Sequence, residues 1–253
     1  MDLLLNKLTP DYISDVLVRL AHHSSALEGN TISLPETATI IIDQTLPNNS
    51  KITKREYFEV LNHETAFDYV MNNIQNNIPL SISVIKDIHE QLTDRLQHDK
   101  GQFKTDVNYI KGVDFQTAPP EKVSGLIDQL VGNLKYRIEN ADSDEERTKA
   151  ILEGHIAFEK IHPFSDGNGR TGRMIMNYVL IENDLPPLII KKEDRNIYTE
   201  ILHEAQTKEI PSERDIEKFY NFALPLMKEE QQRIEAFYNQ EKQRIKLEDD
   251  VER

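Results

Sequence analysis

Apolar side chains recur at helical spacing along most of this chain, and this pattern limits the fold more than any other feature of the sequence. The first such face carries Ile13, Leu17, Leu20 and Leu27. Side chains three or four positions apart lie on one side of an α-helix. Comparable faces recur later, at residues 57–67, 82–92, 123–134, 150–161, 171–182, 188–205 and 215–228. The sequence therefore predicts an all-α protein built as a helical bundle.

One region departs from the helical pattern. Residues 103–116 place β-branched and aromatic side chains on either side of Gly112, and Pro119 and Pro120 follow. Such a run around a glycine is typical of two short strands joined by a turn. We therefore expect one small β-hairpin in an otherwise helical chain.

The segment 161–173 concentrates chemically active residues. It reads Ile-His-Pro-Phe-Ser-Asp-Gly-Asn-Gly-Arg-Thr-Gly-Arg, and the helix that follows is apolar nearly all round. A helix of that kind is buried, so its N-terminus is held rigidly beside the glycine turn. Free N–H groups at a helix N-terminus bind anions, and Gly167 and Gly169 let phosphate oxygens approach the backbone closely. We therefore expect a phosphate site.

The side chains of this segment indicate what the site does with phosphate. Arg170 and Arg173 offer fork-shaped donors. Asp166 is a hard oxygen ligand of the kind that Mg²⁺ accepts together with phosphates. His162 can take up a proton near neutral pH. Together they predict phosphate-transfer chemistry with a general base.

Three other interpretations fit the context of this segment less well. Its Gly-x-Gly-x-x-Gly spacing matches a dinucleotide-binding fingerprint, but a helical pattern precedes it where that motif requires a strand. A Walker A loop needs Gly-Lys followed by Ser or Thr, which the segment lacks. A metal site formed by His155, His162 and Asp166 matches no standard zinc spacing.

Charge and composition restrict the partners. The formal net charge is −14, which disfavours contact with nucleic-acid backbones and requires any nucleotide site to gather positive charge locally. The chain has no Cys, which excludes disulfides and thiolate metal sites. It shows no apolar run of membrane-spanning length and no signal-peptide pattern. We therefore expect a soluble cytoplasmic protein with no nucleic-acid or membrane partner.

Residues 162–173 resemble the Fic motif, His-x-Phe-x-Asp/Glu-Gly-Asn-Gly-Arg-x-x-Arg, and match it at every specified position. The resemblance implies a Fic fold with a core at 80–226, after an N-terminal helical region at 1–79. The density of Glu, Gln, Lys and Arg predicts a charged helical tail at 227–253. The resemblance also implies a protein adenylyltransferase, which moves AMP from Mg-ATP to a Ser, Thr or Tyr hydroxyl of a target protein or of itself. Gly169 is typical of this branch, whereas a phosphotransferring branch carries Lys there.

The same resemblance implies roles within the loop. His162 would take the proton from the target hydroxyl, whose oxygen attacks the α-phosphorus while pyrophosphate leaves. Asp166 would hold Mg²⁺ between the α- and β-phosphates. The phosphates of ATP would be bound by the rest of the loop, Gly167, Asn168, Gly169, Arg170, Thr171, Gly172 and Arg173. Most of the catalysis would then come from positioning and charge stabilisation.

Two further sites follow from the resemblance. The hairpin corresponds to a flap that pairs with an extended segment of the target. The tip of this flap would be formed by Lys111, Gly112, Val113 and Asp114. Relatives contact adenine with a Tyr and an Asn past the motif, and Tyr198 and Gln206 stand at matching offsets. Gln206 departs from that Asn, and packing within a helix is an alternative for Tyr198.

The end of the first predicted helix carries a carboxylate where the helix dipole disfavours one. Glu28 lies in its last turn, Gly29 is the expected C-cap, and Ser24 shares the face of Glu28. The segment resembles the family's inhibitory motif, Ser/Thr-x-x-x-Glu-Gly/Asn. This resemblance implies that Glu28 pairs with Arg173 and withholds it from the γ-phosphate, so that the α-phosphorus is misaligned. The alternative is a surface glutamate without function.

Several functions stay open from the sequence. The same site could transfer UMP or a phosphate group, and Glu28 could also position a water that removes AMP from the target. A non-enzymatic alternative is an ATP-sensing binding module, although a binder needs no base such as His162. Relatives of this architecture often pair, so a homodimer is a further expectation.

Overall fold

The computed structural model describes residues 4–48, 51–109 and 115–251. Within these ranges the regular structure is helical and no strand is present, which confirms the all-α prediction. None of the helices there combines the length and the apolar character that a membrane crossing requires. The α-helices are α1 (Pro10–Leu27), α2 (Leu34–Ile41), α3 (Lys54–Gln75), α4 (Ile82–Leu92), α5 (Pro120–Glu139), α6 (Asp144–Ile161), α7 (Asn168–Glu182), α8 (Arg195–Gln206) and α9 (Glu213–Val251), with short 3-10 helices at Leu4–Lys7 and Lys192–Asp194.

Helix α7 lies at the centre of the bundle. Residues 170–181 are all buried, and the helix is apolar on nearly every side from residue 174 to residue 181. It packs against α1, α3, α4 and α6, and α6 in turn packs against α5, α8 and α9. The loop between α6 and α7 is therefore anchored at both ends in the core.

The segment before α5 does not show the predicted hairpin. Residues 103–109 and 115–119 form no strand. Thr117 Oγ1 donates to the Asn108 carbonyl (2.9 Å), and Lys104 Nζ donates to Asn108 Oδ1 (2.7 Å). The two arms thus meet through side-chain contacts and not through a strand ladder. The predicted tip lies outside the described residues, at Lys111, Gly112, Val113 and Asp114.

Helix α9 continues through the expected border between residues 226 and 227, although Pro225 lies inside it. Arg19 of α1 donates from Nη1 to Glu230 Oε1 (2.5 Å) and from Nη2 to Glu230 Oε2 (2.9 Å). Ile234 is fully buried. The first part of the charged tail therefore packs on α1. The domain borders at 79/80 and 226/227 stay predictions.

Candidate active site

The loop between α6 and α7 is held by hydrogen bonds from one of its own buried side chains. Asn168, almost completely buried, accepts from the Phe164 N–H at Oδ1 and donates from Nδ2 to the Phe164 carbonyl, both at 2.8 Å. The Phe164 ring is buried and stacks on the His89 imidazole, with ring centroids 3.7 Å apart. The side chain of Asn168 thus fixes the shape of the loop.

His89 of α4 holds the turn that carries Asp166. Its Nδ1 accepts from the Gly101 N–H (2.9 Å), so the ring proton lies on Nε2 and is donated to the Asp166 carbonyl (3.0 Å). Burial lowers the pKa of His89 to about 4, which keeps this neutral tautomer at physiological pH. The position of Asp166 is therefore set from α4.

The N-terminus of α7 presents free backbone donors. Gly167 precedes the helix with φ of 79° and offers no side-chain cap. The first N–H groups of a helix have no acceptor within it, and here they belong to Asn168, Gly169 and Arg170. A Cβ on Gly167 would lie 2.8 Å from Thr93 Cγ2, so both its conformation and its surroundings require glycine. This end of α7 can bind an anion by its backbone and its dipole.

His162 is the residue that ends α6, in the left-handed conformation (φ 53°, ψ 60°). Its Nδ1 lies 3.3 Å from the Glu159 carbonyl. A carbonyl only accepts, so this contact places the ring proton on Nδ1 and leaves the Nε2 lone pair available. Burial lowers the pKa of His162 to about 4. The imidazole is therefore neutral at pH 7 and able to accept a proton.

Asp166 places its carboxylate at the edge of the cleft, with 53% of the side chain exposed. Oδ1 accepts from the Gly167 N–H and Oδ2 from Arg55 Nη2, both at 2.7 Å. Burial raises the pKa of Asp166, but these donors outweigh it and the net shift is downward. The carboxylate is ionised and already faces a cation.

The donor set fits Mg²⁺ of the kind bound mainly by a nucleotide. The described residues contain no cluster of three or more His, Cys, Asp or Glu that could hold a metal by themselves. Mg²⁺ commonly uses one or two carboxylates and completes its octahedron with phosphate and water oxygens. Asp166 would be the protein ligand.

Arg170 is a buried cation whose donors are only partly used. Its side chain is 2% exposed, and its nearest carboxylate oxygen, Glu59 Oε1, is 3.9 Å away. Within the described residues its Nε and Nη1 atoms have no hydrogen-bond partner. Buried donors without acceptors cost about 1–3 kcal/mol each. Arg170 also lines the smaller cavity, so its charge favours an anion at the N-terminus of α7.

Arg173 is held by the end of α1 through two of its three guanidinium nitrogens. It donates from Nε to Ser24 Oγ (3.1 Å), and from Nη2 to the Ser24 carbonyl (2.9 Å) and Glu28 Oε1 (2.7 Å). Burial raises the pKa of Glu28, but the guanidinium prevails and the pKa lies below its ordinary value. A Cβ on Gly169 would collide with the Glu28 carboxylate, which therefore lies directly on the anion-binding turn.

The end of α1 is shaped to hold Glu28 there. Gly29 has φ of 100°, and its N–H bonds the Ala26 carbonyl while the Asn30 N–H bonds the Ser25 carbonyl. This pair of bonds is the Schellman arrangement, for which glycine is the favoured residue. Glu28 is thus the residue that closes the helix. The predicted set Ser24, Glu28 and Gly29 is brought to the loop.

Two cavities meet at this point. One of about 570 Å³ runs along α3 and another of about 760 Å³ runs along α8. The two share walls formed by Glu28, Tyr109, His162, Asp166 and Gly169. The imidazole of His162 thus faces space large enough for a nucleotide and a substrate segment.

The structure does not bring every predicted residue to the cleft. The Thr171 N–H bonds the Gly167 carbonyl, and the Thr171 side chain is completely buried. Gly172 faces α6, where a Cβ would meet Phe158 and His155. Both positions lie on the inner side of α7 because successive residues turn by about 100° around a helix. Of the seven residues predicted to bind phosphate, Gly167, Asn168, Gly169, Arg170 and Arg173 therefore lie where they could do so. Thr171 and Gly172 do not.

The two predicted adenine contacts line the larger cavity from α8. Tyr198 is 3% exposed and Gln206 is 4% exposed. The Tyr198 hydroxyl lies 2.7 Å from His155 Nε2, inside the core. Packing within the bundle therefore accounts for most of the Tyr198 surface, and the adenine role stays a prediction.

Three residues of the site were not identified from the sequence. Arg55 and Glu59, on α3, contact the loop from outside its own segment. Glu159, on α6, is buried and lines the larger cavity. Arg55 and Glu59 are four positions apart, so the sequence predicts that they share one helical face and can form an ion pair. Nothing in the sequence relates that face to the loop.

Comparison with known families agrees with the motif. Residues 79–180 match the Fic/DOC family. This range holds α4, α5, α6 and the complete loop 162–173. The contacts from Glu28, Arg55 and Glu59 come from outside it.

Curated relatives are similar over most of this chain. Protein adenylyltransferase Fic of Aedes aegypti is 29% identical over 217 residues, which cover 82% of this chain and 40% of that protein. The protein of the same name from Drosophila yakuba is 29% identical over 203 residues, which cover 79% of this chain and 38% of that protein. The chain thus spans less than half the length of these relatives.

Solved structures share the fold. A Fic domain containing signaling protein from Bacteroides thetaiotaomicron superposes with a TM-score of 0.81 at 21% identity, covering 93% of this chain and 95% of that one. Fic-1 from C. elegans superposes with a TM-score of 0.74 at 23% identity, covering 92% of this chain and 67% of that one. The Fic fold implied by the motif is confirmed.

Proposed function

Because this chain contains a Fic domain at residues 79–180, we propose that it is a protein adenylyltransferase whose activity Glu28 restrains. The observation that carries the proposal is the position of the neutral His162 imidazole, which lines both cavities beside the anion-binding N-terminus of α7 and faces the Glu159 carbonyl with Nδ1, not Nε2. The names of the similar insect proteins support the same activity.

In the proposed reaction ATP binds with its phosphates against the first turn of α7. The N–H groups of Asn168, Gly169 and Arg170 bind phosphate oxygens, and the Arg170 guanidinium, which lines the smaller cavity, adds positive charge beside them. Asp166 would hold Mg²⁺, which would neutralise phosphate charge when bound. These contacts align the α-phosphorus with His162.

The transfer step is a displacement at the α-phosphorus. His162 Nε2 takes the proton of the target hydroxyl as its oxygen forms a bond to the α-phosphorus. The bond from the α-phosphorus to the bridging oxygen breaks, and pyrophosphate leaves with its electron pair. The products are an AMP ester of the protein and pyrophosphate.

Glu28 restrains this reaction through Arg173 in the proposal. The guanidinium needed by the terminal phosphate is held at 2.7 Å by Glu28. The carboxylate also covers Gly169 and repels phosphate there. Nucleotide then binds in a position that does not align it for attack.

The remaining features of the proposal rest on the family resemblance. These are the flap at 103–116 that would align the target segment, pairing into a homodimer, and removal of AMP by a water that Glu28 positions. Transfer of UMP or of a phosphate group, and nucleotide sensing without transfer, are the competing functions. A cytoplasmic location also stays a prediction.

The decisive experiment compares Glu28→Gly with the wild-type chain in the presence of Mg²⁺ and labelled ATP. Loss of the ion pair frees Arg173, and we expect incorporation of AMP into protein to rise about tenfold or more, which corresponds to about 1.4 kcal/mol of relieved restraint. The matched control is Glu139→Gly, which removes an exposed carboxylate from the end of α5, far from the cleft.

Two results would refute the proposal in different parts. Equal incorporation by Glu28→Gly and wild type would remove the inhibitory role. Incorporation that persists in the double variant Glu28→Gly, His162→Ala would remove the general base. Parallel incubations with each labelled nucleotide, followed by mass spectrometry, distinguish AMP transfer from UMP or phosphate transfer. If the protein binds nucleotide but transfers no group in any of these incubations, it is an ATP-sensing binding module.

A further inference from the structure

Arg55 is the second residue of α3, and it reaches the loop from outside the Fic-matching range. Its side chain is 59% exposed, lines the smaller cavity, and donates from Nη2 to Asp166 Oδ2 at 2.7 Å. A long side chain on a surface would ordinarily sample many rotamers. A second contact must therefore restrict the rotamers of Arg55 if its bond to Asp166 is to persist.

Glu59 provides that contact from one turn further along α3. Its buried carboxylate accepts from Arg55 Nε at Oε1 (2.9 Å) and from Asn30 Nδ2 at Oε2 (3.1 Å). Asn30 also donates to the Glu56 carbonyl (3.0 Å), so the turn after Glu28 is fixed to the same helix. Arg55 is thus aimed at Asp166 by a carboxylate that is itself held on two sides.

The two oxygens of Asp166 are both occupied in this arrangement. Oδ1 accepts from the Gly167 N–H, which is part of the loop, so Oδ2 is the oxygen left for a metal ion. Arg55 holds that oxygen. The guanidinium takes one lone pair of Oδ2 and places a positive charge beside it, so both effects lower the affinity of this oxygen for a divalent ion.

We propose that Arg55 competes with Mg²⁺ for Asp166 and thereby sets the metal concentration that the site requires. The inference rests on the proposed function, in which Asp166 is the metal ligand. It adds a second restraint to the one at Arg173. Residues before position 79 then pair with two charges of the cleft, Glu28 with the Arg173 guanidinium and Arg55 with the Asp166 carboxylate.

The size of the effect follows from the exposure of the pair. Ion pairs between exposed side chains contribute about 0.2–1 kcal/mol. Removing the competitor should therefore lower the half-saturating metal concentration by about 1.5- to 5-fold. Glu28→Gly alone should leave this metal requirement in place, because it acts on the other ion pair.

The test measures metal binding in the presence of a saturating non-hydrolysable ATP analogue, because Asp166 is the protein ligand and phosphates supply other ligands. Free Mn²⁺ is followed by electron paramagnetic resonance while the wild type, Arg55→Ala, Lys54→Ala and Asp166→Asn are titrated. Lys54 is the matched control, since it is exposed and removes the same charge one position away. We expect tighter binding of Mn²⁺ in Arg55→Ala, no change in Lys54→Ala and weaker binding in Asp166→Asn.

A second measurement connects the site to the reaction. In the Glu28→Gly background, Arg55→Ala should lower the Mg²⁺ concentration that gives half-maximal transfer by a similar factor. Unchanged or weaker Mn²⁺ binding in Arg55→Ala, an equal gain in Lys54→Ala, or undiminished binding in Asp166→Asn would each overturn the inference. Because the Mn²⁺ titration needs no transfer, it decides the competition even if the chain proves not to be an adenylyltransferase.

Discussion

At the scale of single residues, the cleft lies over a buried carboxyl group. Glu159 stands one turn before His162 on α6 and is 6% exposed. Within the described residues its Oε1 has no hydrogen-bond partner. Burial raises the pKa of Glu159 from 4.5 to about 7, and the nearby Arg173 only partly opposes this. Glu159 is therefore about half protonated near neutral pH.

Glu159 should make the stability of the protein depend on pH. Between pH 4.5 and pH 7 the folded protein holds this proton more tightly than the unfolded chain does, so the contribution of Glu159 to the free energy of unfolding falls as pH rises. Glu159→Gln removes this dependence, and the variant should gain about 1–3 kcal/mol on the wild type between pH 5 and pH 8. Urea unfolding at both pH values measures the difference.

A constant difference between the two proteins across this pH range would contradict the assignment. Glu145→Gln, which changes an exposed carboxylate on the same helix, is the control and should shift little.

At the scale of elements, the close contact of α6 and α7 fixes the distance between His162 and the anion-binding turn. Gly172 permits this contact: a Cβ there would collide with the Glu159 carboxylate and lie 2.9 Å from Phe158 Cδ1. Phe158 is 1% exposed and cannot move aside without disturbing the core. Glycine at this position therefore serves helix packing.

Gly172→Ala should destabilise the fold by about 1–3 kcal/mol, the usual cost of overpacking. The matched control is Gly132→Ala at an exposed position of α5, where a Cβ would meet nothing within 4 Å. Alanine at that site should stabilise by up to about 1 kcal/mol through helix propensity. Thermal and denaturant unfolding of both variants give the comparison, and a neutral Gly172→Ala would show that the helices can separate freely.

At the scale of the whole molecule, the two ends of the described chain hold each other. The Arg19 guanidinium of α1, 12% exposed, forms a bidentate pair with the buried Glu230 of α9, and the Tyr12 hydroxyl donates to the same carboxylate (3.1 Å). The helix that ends in Glu28 is thus fixed at its other side by the charged tail. Placement of Glu28 depends on a contact between segments about 200 residues apart.

Glu230→Ala should lower the free energy of unfolding by about 3 kcal/mol, because it leaves Arg19 with one carboxylate partner, Asp15, in a largely buried position. Glu235→Ala changes an exposed residue five positions further along α9, and its free energy of unfolding should stay within about 0.5 kcal/mol of the wild type. Equal stabilities for the two variants would mean that the tail contributes nothing to the bundle.

The sequence by itself determined what is local in the chain. The 3.6-residue periodicity predicts the helices, and the apolar surface around α7 predicts that its N-terminus is held rigidly. The turn at Gly29 and the loop 162–173 are recognisable because their conformations depend on neighbours a few positions away. The pairing of Glu28 with Arg173 was expected only from the family resemblance.

Only the tertiary structure decided which distant groups meet and which are buried. The contacts Arg55–Asp166 and Glu28–Arg173 join residues 111 and 145 positions apart, and no local pattern specifies the angle at which α1 and α3 lie on α7. The raised pKa of Glu159 and the inward direction of Thr171 and Gly172 follow from that same packing. Charge, burial and exposure at the cleft are properties of neighbouring helices, and they exist only once the bundle has formed.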